Sequence, residues 1–172
     1  MLAPIAIITL AALATATPLK RASHTSTIHP GGRTDLCIQT TSQYYGDSVD
    51  IAIRPCNPCS QQPIRFEFND GPTRVKLEGY NYCLVAGATS GGGYTQADGN
   101  VAHLGVCPTE SWVVGYEWSF HDGVFQQLGT SFAAAAVTSL DQCLDNKDGA
   151  FGAVQTWRCY DGNQNQQWSA DA

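Results

Sequence analysis

The stretch "CLDNKDGAFGAVQTWRCYDGNQNQQW", Cys143 to Trp168, governs how the rest of the chain is read. It sets Asp145 two residues after one cysteine and Gln155 and Trp157 shortly before a second, Cys159. Asn165, Gln166 and Gln167 then precede a closing Trp168. These residue types suit a polar, flat-faced small molecule. A carboxylate only accepts hydrogen bonds, a primary amide both donates and accepts, and an indole offers a flat apolar wall. They do not form a bond-breaking set.

Outside this stretch the same punctuation recurs, which signals internal repetition. "EWSFHDG" (117–123) aligns with "RFEFNDG" (65–71), so Trp118 falls on Phe66 and Asp122-Gly123 on Asp70-Gly71. "YCLV", "QCLD" and "LCIQ" superpose Cys83, Cys143 and Cys37, and "LGVC", "TWRC" and "IRPC" superpose Cys107, Cys159 and Cys56. Phe66, Trp118 and Trp168 close the three units at separations of 52 and 50 residues. The units run over about 35–76, 77–128 and 129–172. Each holds one early and one late cysteine, which selects the pairs Cys37–Cys56, Cys83–Cys107 and Cys143–Cys159 from the fifteen that six cysteines allow. Cys59 is left over, and it lies in the same turn as Cys56 and is an alternative partner.

Short apolar runs such as "DIAIRP", "TRVKLEG" and "YCLVAG" alternate with Gly, Asp and Asn turns, the signature of an all-β chain. "SFAAAAV" has helical propensity but is short and uncapped, so the β context is expected to override it. Three β units of about 50 residues with one aromatic each predict a closed barrel of pseudo-threefold symmetry, because closure removes exposed sheet edges.

The first residues, "MLAPIAIITLAALATA", are apolar and end in Ala14-Thr15-Ala16, which reads as a secretory signal peptide over 1–16. Residues 17–34 read as a propeptide with a dibasic Lys20-Arg21 site, followed by a flexible tail in "ASHTSTIHPGGRT". The domain proper is expected over 35–172. Losing Lys20 and Arg21 takes the formal charge from −6 to −8. So acidic a chain suits neither nucleic acid nor an anionic membrane surface. Seven cysteines behind a secretory signal argue for disulfides in an extracellular protein; the lone CxxC, Cys56 to Cys59, lacks a second pair to complete a zinc site. No cofactor or metal is expected.

Cys143-Leu144-Asp145, Val154–Cys159 and Asn165-Gln166-Gln167-Trp168 resemble the ricin-type β-trefoil, or QxW, lectin family. The resemblance is strong over 140–168 and weaker, though in register, over 35–139, and the Lys-Arg processing style resembles that of a fungal secreted protein. It implies a secreted β-trefoil whose binding positions fall on Asp145, Gln155, Trp157, Asn165 and Gln166. The usual ligand would be galactose or N-acetylgalactosamine. In that reading Asp145 anchors two sugar hydroxyls through charge-assisted bonds and Trp157 is the wall. Each residue also has a plainer role open to it: Asp145 as a turn cap, Gln155 and Gln166 as braces, Trp157 as core. Trp168 is a core candidate. Where the third unit has Asp145, Gln155 and Trp157, the first has Gln39, Ala52 and Arg54 and the second Val85, His103 and Gly105. One site per chain follows.

About four or five solvent-edge hydrogen bonds, less ordering costs, leave about 3–5 kcal/mol, a dissociation constant near ~1 mM. Useful binding at that affinity needs multivalency, and a dimer through Cys59 is one route. The sequence shows no HExxH, GxSxG or GxxxxGK, and no catalytic residue is assigned. Two alternatives to a lectin remain. One is a protein-binding trefoil, a protease inhibitor or secreted effector using loops such as "AGATSGGGYTQADGN" (86–100). The other is a small hydrolase using Asp145 with Asp148 or Asp161.

Overall fold

The computed structural model describes residues 22–56, 63–90, 93–95, 97–110, 113–131, 136–148 and 151–171. Residues 1–16, expected as a signal peptide, and Lys20, Arg21 and Cys59 lie outside them. Among the described residues the regular structure is antiparallel β throughout, with one short 3-10 helix, Gln164–Gln166, and no α-helix.

Strand alternation builds the core. In Phe66–Asn69 and in Trp118–His121 the first and third side chains point inward and the second and fourth outward. Phe66, Phe68, Trp118 and Phe120 thereby enter one apolar cluster with Phe125, Leu144 and Trp168. Full burial of each such side chain contributes roughly 1.5–3 kcal/mol. Two ring-to-backbone ties orient the indoles: Trp118 Nε1 donates to the Leu84 carbonyl at 3.1 Å, and Trp168 Nε1 donates to that of Leu144 at 3.0 Å. The Asp122-Gly123 pair joins Trp118–His121 to Val124–Ser131 with φ of 48° and 78°. That is the left-handed pair a two-residue hairpin turn of type I′ requires. A Cβ on Gly123 would also come within 2.8 Å of the Trp168 carbonyl oxygen.

The described strands pair in one sheet of twelve and two of two, and the expected closed barrel is not found among them. Ser23–Ser26 pairs with Phe66–Asn69, which pairs with Lys76–Leu77. Gly71–Thr73 pairs with Trp118–His121, which pairs with Val124–Ser131. Trp168–Ala170 pairs with Ile28–Pro30, and the Trp168 N–H donates to the Gly123 carbonyl at 2.7 Å. Three further hairpins, Leu36–Thr40 with Val49–Pro55, Tyr82–Ala86 with Asn100–Val106, and Ala136–Asn146 with Val154–Trp157, meet one another. Val49 and Asp50 face Leu104 and His103, Asn100 and Val101 face Thr156 and Gln155, and Ala153 bridges to Ala52.

Residues 22–34 are not a flexible tail. Ser23–Ser26 and Ile28–Pro30 are strands, and Ser26, Thr27, Ile28 and His29 are buried. Composition misled here because Ser and His are polar, yet Ser26, His24 and His29 find partners. The Ser26 hydroxyl donates to the Thr27 and Asp171 carbonyls, His24 Nε2 meets Asp70 Oδ1 at 2.8 Å, and His29 bonds through both ring nitrogens. Paired polar groups can be buried cheaply. Residues 132–135 of "SFAAAAV" lie outside the described residues, with strand up to Ser131 and again from Ala136.

Cys83–Cys107 and Cys143–Cys159 form disulfides. Cys37 and Cys56 do not: both are buried thiols. The backbone register is the same in all three hairpins, Cys37, Cys83 and Cys143 lying opposite Arg54, Gly105 and Trp157, each two residues before the partner cysteine. What differs is the side-chain surroundings. The Gln39 amide donates to Cys37 Sγ at 3.4 Å, and Cys56 Sγ turns to His29 Nδ1 at 3.5 Å. Burial raises both thiols, and the hydrogen bond between them lowers Cys37 and raises Cys56 further.

Two outcomes test this fold. Deleting residues 22–30 should abolish the cooperative thermal transition seen by near-ultraviolet dichroism, whereas a true tail would be removed without effect. Replacing Cys143 and Cys159 together by serine should cost about 3 kcal/mol in urea unfolding, as expected for a crosslink closing a loop of this size; the two lie 16 residues apart.

Candidate functional site

Four of the five expected site residues, Asp145, Gln155, Trp157 and Asn165, line one cleft of about 380 Å³, together with Lys147, Asp148, Tyr160 and Asn163. The hairpin places the first three. Asp145 faces Gln155 across the Ala136–Asn146 and Val154–Trp157 pair. Gln155 and Trp157 are two residues apart and therefore share a face. Leu144, between Cys143 and Asp145, points the other way into the core.

Asp145 forms the base of the cleft and is only 5 % exposed. The Gln155 amide donates to its Oδ1 at 3.2 Å. Burial raises its carboxyl above the usual carboxylate range. The neighbouring amides of Gln155, Gln166 and Asn163 pull it back down, and the Asp98 carboxylate pushes it up. Trp157 presents 39 % of its surface and Tyr160 56 %, so two rings stand at the cleft. The Cys143–Cys159 disulfide anchors the segment between them, and Asp98 clasps it from another hairpin. Asp98 Oδ1 accepts from the Arg158 N–H at 2.7 Å and from Gln142 Nε2 at 3.0 Å.

Asn165 reaches the cleft from the 3-10 turn, whose start is capped by Asn163 Oδ1 accepting the Asn165 N–H at 3.1 Å. Gln166 does not line the cleft. It is 2 % exposed, with Oε1 accepting the Tyr160 N–H at 3.0 Å and Nε2 donating to the Arg158 carbonyl at 2.8 Å. It braces the loop that carries Tyr160. Gln155 both lines the cleft and orients the anchor.

Sequence reasoning missed Tyr160, Asn163 and Lys147 as cleft residues, and named Asp148 only as an acidic neighbour of Asp145. The available signal was position: each lies within three residues of an expected site residue or of Cys159, in a Gly- and Asp-rich turn.

The corresponding positions in the other hairpins are occupied by the protein itself. Gln39 is buried and bonded to Cys37 Sγ, and Val85 is fully buried. A Cβ on Gly105 would lie 2.5 Å from the Tyr116 hydroxyl oxygen, so a tyrosine covers the place where Trp157 stands in the third hairpin. Arg54 donates to the Ile53 and Phe151 carbonyls.

One other cluster bears on chemistry. Cys56, His29 and Asp171 form a row, with Sγ 3.5 Å from His29 Nδ1 and His29 Nε2 2.8 Å from Asp171 Oδ1. The order resembles a nucleophile, base and orienting acid. Yet His29 Nδ1 lies 2.7 Å from the Leu36 carbonyl, which can only accept, so this nitrogen donates and has no lone pair for a thiol proton. The row fastens the Ile28–Pro30 strand to the last described residues. No group of three His, Cys, Asp or Glu side chains suited to a metal occurs among the described residues.

No protein-family model matches this chain, and no curated protein matches it. The reading of the site therefore rests on its geometry.

The raised Asp145 carboxyl fixes a sign. The folded state holds this proton more tightly than the unfolded chain, so ionising Asp145 works against stability at neutral pH. That disadvantage fades as pH falls through the folded value and is gone below the unfolded value of about 3.9. An Asp145→Asn protein should match or exceed the wild type in urea unfolding near pH 7, the gap closing towards about pH 4. A loss of stability that is the same at both pH values would contradict the assignment.

Proposed function

We propose that this protein is a secreted β-trefoil lectin with one sugar site built on Asp145, Gln155, Trp157 and Asn165. The single observation that carries the reading is the convergence of these side chains in one cleft, with an acceptor at its base and an exposed indole on its wall. A pyranose has hydroxyls that donate to a carboxylate and a C–H face that lies on an aromatic ring. Asn165 and Gln155 complete the polar set, Tyr160 extends the flat wall, and Gln166 is its brace. The resemblance to ricin-type lectins makes galactose or N-acetylgalactosamine the ligand class.

Support for the trefoil lies in the equivalent registers. Phe66 sits opposite both Ser26 and Leu77, and Trp118 opposite both Thr73 and Gln127. Trp168 sits opposite Pro30 and bonds to Gly123. Each aromatic is thus gripped from two sides by the strands that begin two successive repeats. The residues aligned with Asp145 and Gln155 also face each other, Gln39 with Ala52 and Val85 with His103. In this arrangement Ser23–Pro30 is the opening strand of the first repeat, and the domain begins near Ala22 rather than Asp35.

The ligand partner is Asp145 as carboxylate, so binding should weaken on acidification at a higher pH than an exposed aspartate would show. On a glycan array with the protein presented multivalently, terminal galactosides should be retained by the wild type and lost by Asp145→Ala. Trp157→Ala should weaken binding at least tenfold, about 1.4 kcal/mol. Absence of any glycan signal from clustered protein would retire the lectin reading and favour a protein-binding trefoil.

A further inference from the structure

We propose that the chain carries a second pyranose-binding site, in the cleft of about 290 Å³ between Tyr45 and Tyr80. This site is independent of the Asp145 cleft and shares no residue with it.

The two rings form a corner, their centroids 4.8 Å apart and their planes at 65°. Tyr80 is 48 % exposed, while Tyr45 is partly buried and packs against the core beside Ile64, which lines the same cleft. Burial and the neighbouring Tyr80 raise the Tyr45 phenol, which keeps it a neutral hydroxyl. Arg65 and Glu78 supply the polar side. They flank the Phe66 and Leu77 pair, joined by the Glu78 N–H donating to the Arg65 carbonyl at 2.9 Å. Their side chains meet with Arg65 Nη1 3.5 Å from Glu78 Oε2. Arg65 Nη2 is held by the Thr25 carbonyl, so the guanidinium is oriented before any ligand arrives. Gly79, at φ +76°, turns the chain so that Tyr80 closes the corner.

The charge state selects the ligand class. Arg65 and Glu78 neutralise each other, so a cation would have to displace the guanidinium and an anion the carboxylate. A neutral ligand with adjacent hydroxyls has no such competition. It can donate to the free Glu78 oxygen and accept from the remaining Arg65 N–H groups while its C–H face lies on Tyr80. That is the same chemistry as at Asp145, assembled from different residues. Two weak sites on one chain would let a single molecule bridge neighbouring sugars on a surface, the multivalency that a millimolar site needs.

The test uses the full chain with isotope-labelled aromatic rings, titrated with methyl β-galactopyranoside, methyl α-mannopyranoside and diacetylchitobiose up to about 50 mM, well above a millimolar dissociation constant. Saturable shifts of the Tyr45 and Tyr80 ring signals with at least one sugar are expected. Tyr80→Ala should remove the Tyr45 shift and leave that of Trp157, and Asp145→Ala should do the reverse. Either variant should lose at least tenfold in retention on a sugar-coated surface. Glu78→Gln keeps both rings and should weaken the Tyr45 response severalfold, which covers a misfolded Tyr80→Ala protein. Tyrosine shifts with a silent Trp157 would sustain this site while overturning the Asp145 site. Tyrosine rings that stay still with all three sugars, or that respond only to tetramethylammonium, would overturn the proposal.

Discussion

The pairing of Ile28–Pro30 with Trp168–Ala170 joins an early strand to the last described one, and the candidate cleft depends on it. Trp168 is the coupling residue. Its backbone bonds to Gly123, its ring is buried in the shared core, and its indole N–H holds the Leu144 carbonyl. Leu144 immediately precedes Asp145. The acceptor at the base of the cleft is therefore positioned by Trp168 as well as by its own hairpin. His29 and Asp171 lock the same junction through a buried ring and a carboxylate.

Asp145 carries an energetic tension that a purely structural turn residue would not. Its carboxyl is almost wholly buried, and although the amides of Gln155, Gln166 and Asn163 favour the charged form, burial outweighs them. Burial of a charge is costly. In the proposed complex, hydroxyls donating to this carboxylate would offset part of that cost. The wall is arranged in the opposite way. Trp157 keeps a large apolar face in water, which a sugar's C–H face would cover.

The three hairpins share register but not chemistry. Identical pairing geometry carries a disulfide in two of them and two free thiols in the other, which hydrogen-bond to each other and are met by Gln39 and His29. Likewise one hairpin holds a cleft, while Tyr116 over Gly105 and the carbonyl-bound Arg54 fill the equivalent positions elsewhere. A repeated backbone fixes where side chains can point, and the local side chains decide what happens there.

The β character and the shared face of Gln155 and Trp157 were legible in the sequence, because period-two alternation is a local property, while their grouping with Asp145 came from the family resemblance. The cysteines of the second and third hairpins likewise stood out by their spacing. The opening strand Ser23–Pro30 was not legible: its polar residues acquire partners, Asp70, Leu36 and Asp171, only from distant parts of the chain. Nor was the corner of Tyr45 and Tyr80, which lie 35 residues apart, whereas the bracing role of Gln166 was among the readings open to it, its partners Tyr160 and Arg158 lying only six and eight residues away. The sequence by itself determined which residues alternate and where the turns fall. Tertiary structure alone decided which polar groups are satisfied, which sulfurs bond and which aromatics stay in water, since each depends on neighbours that folding brings together.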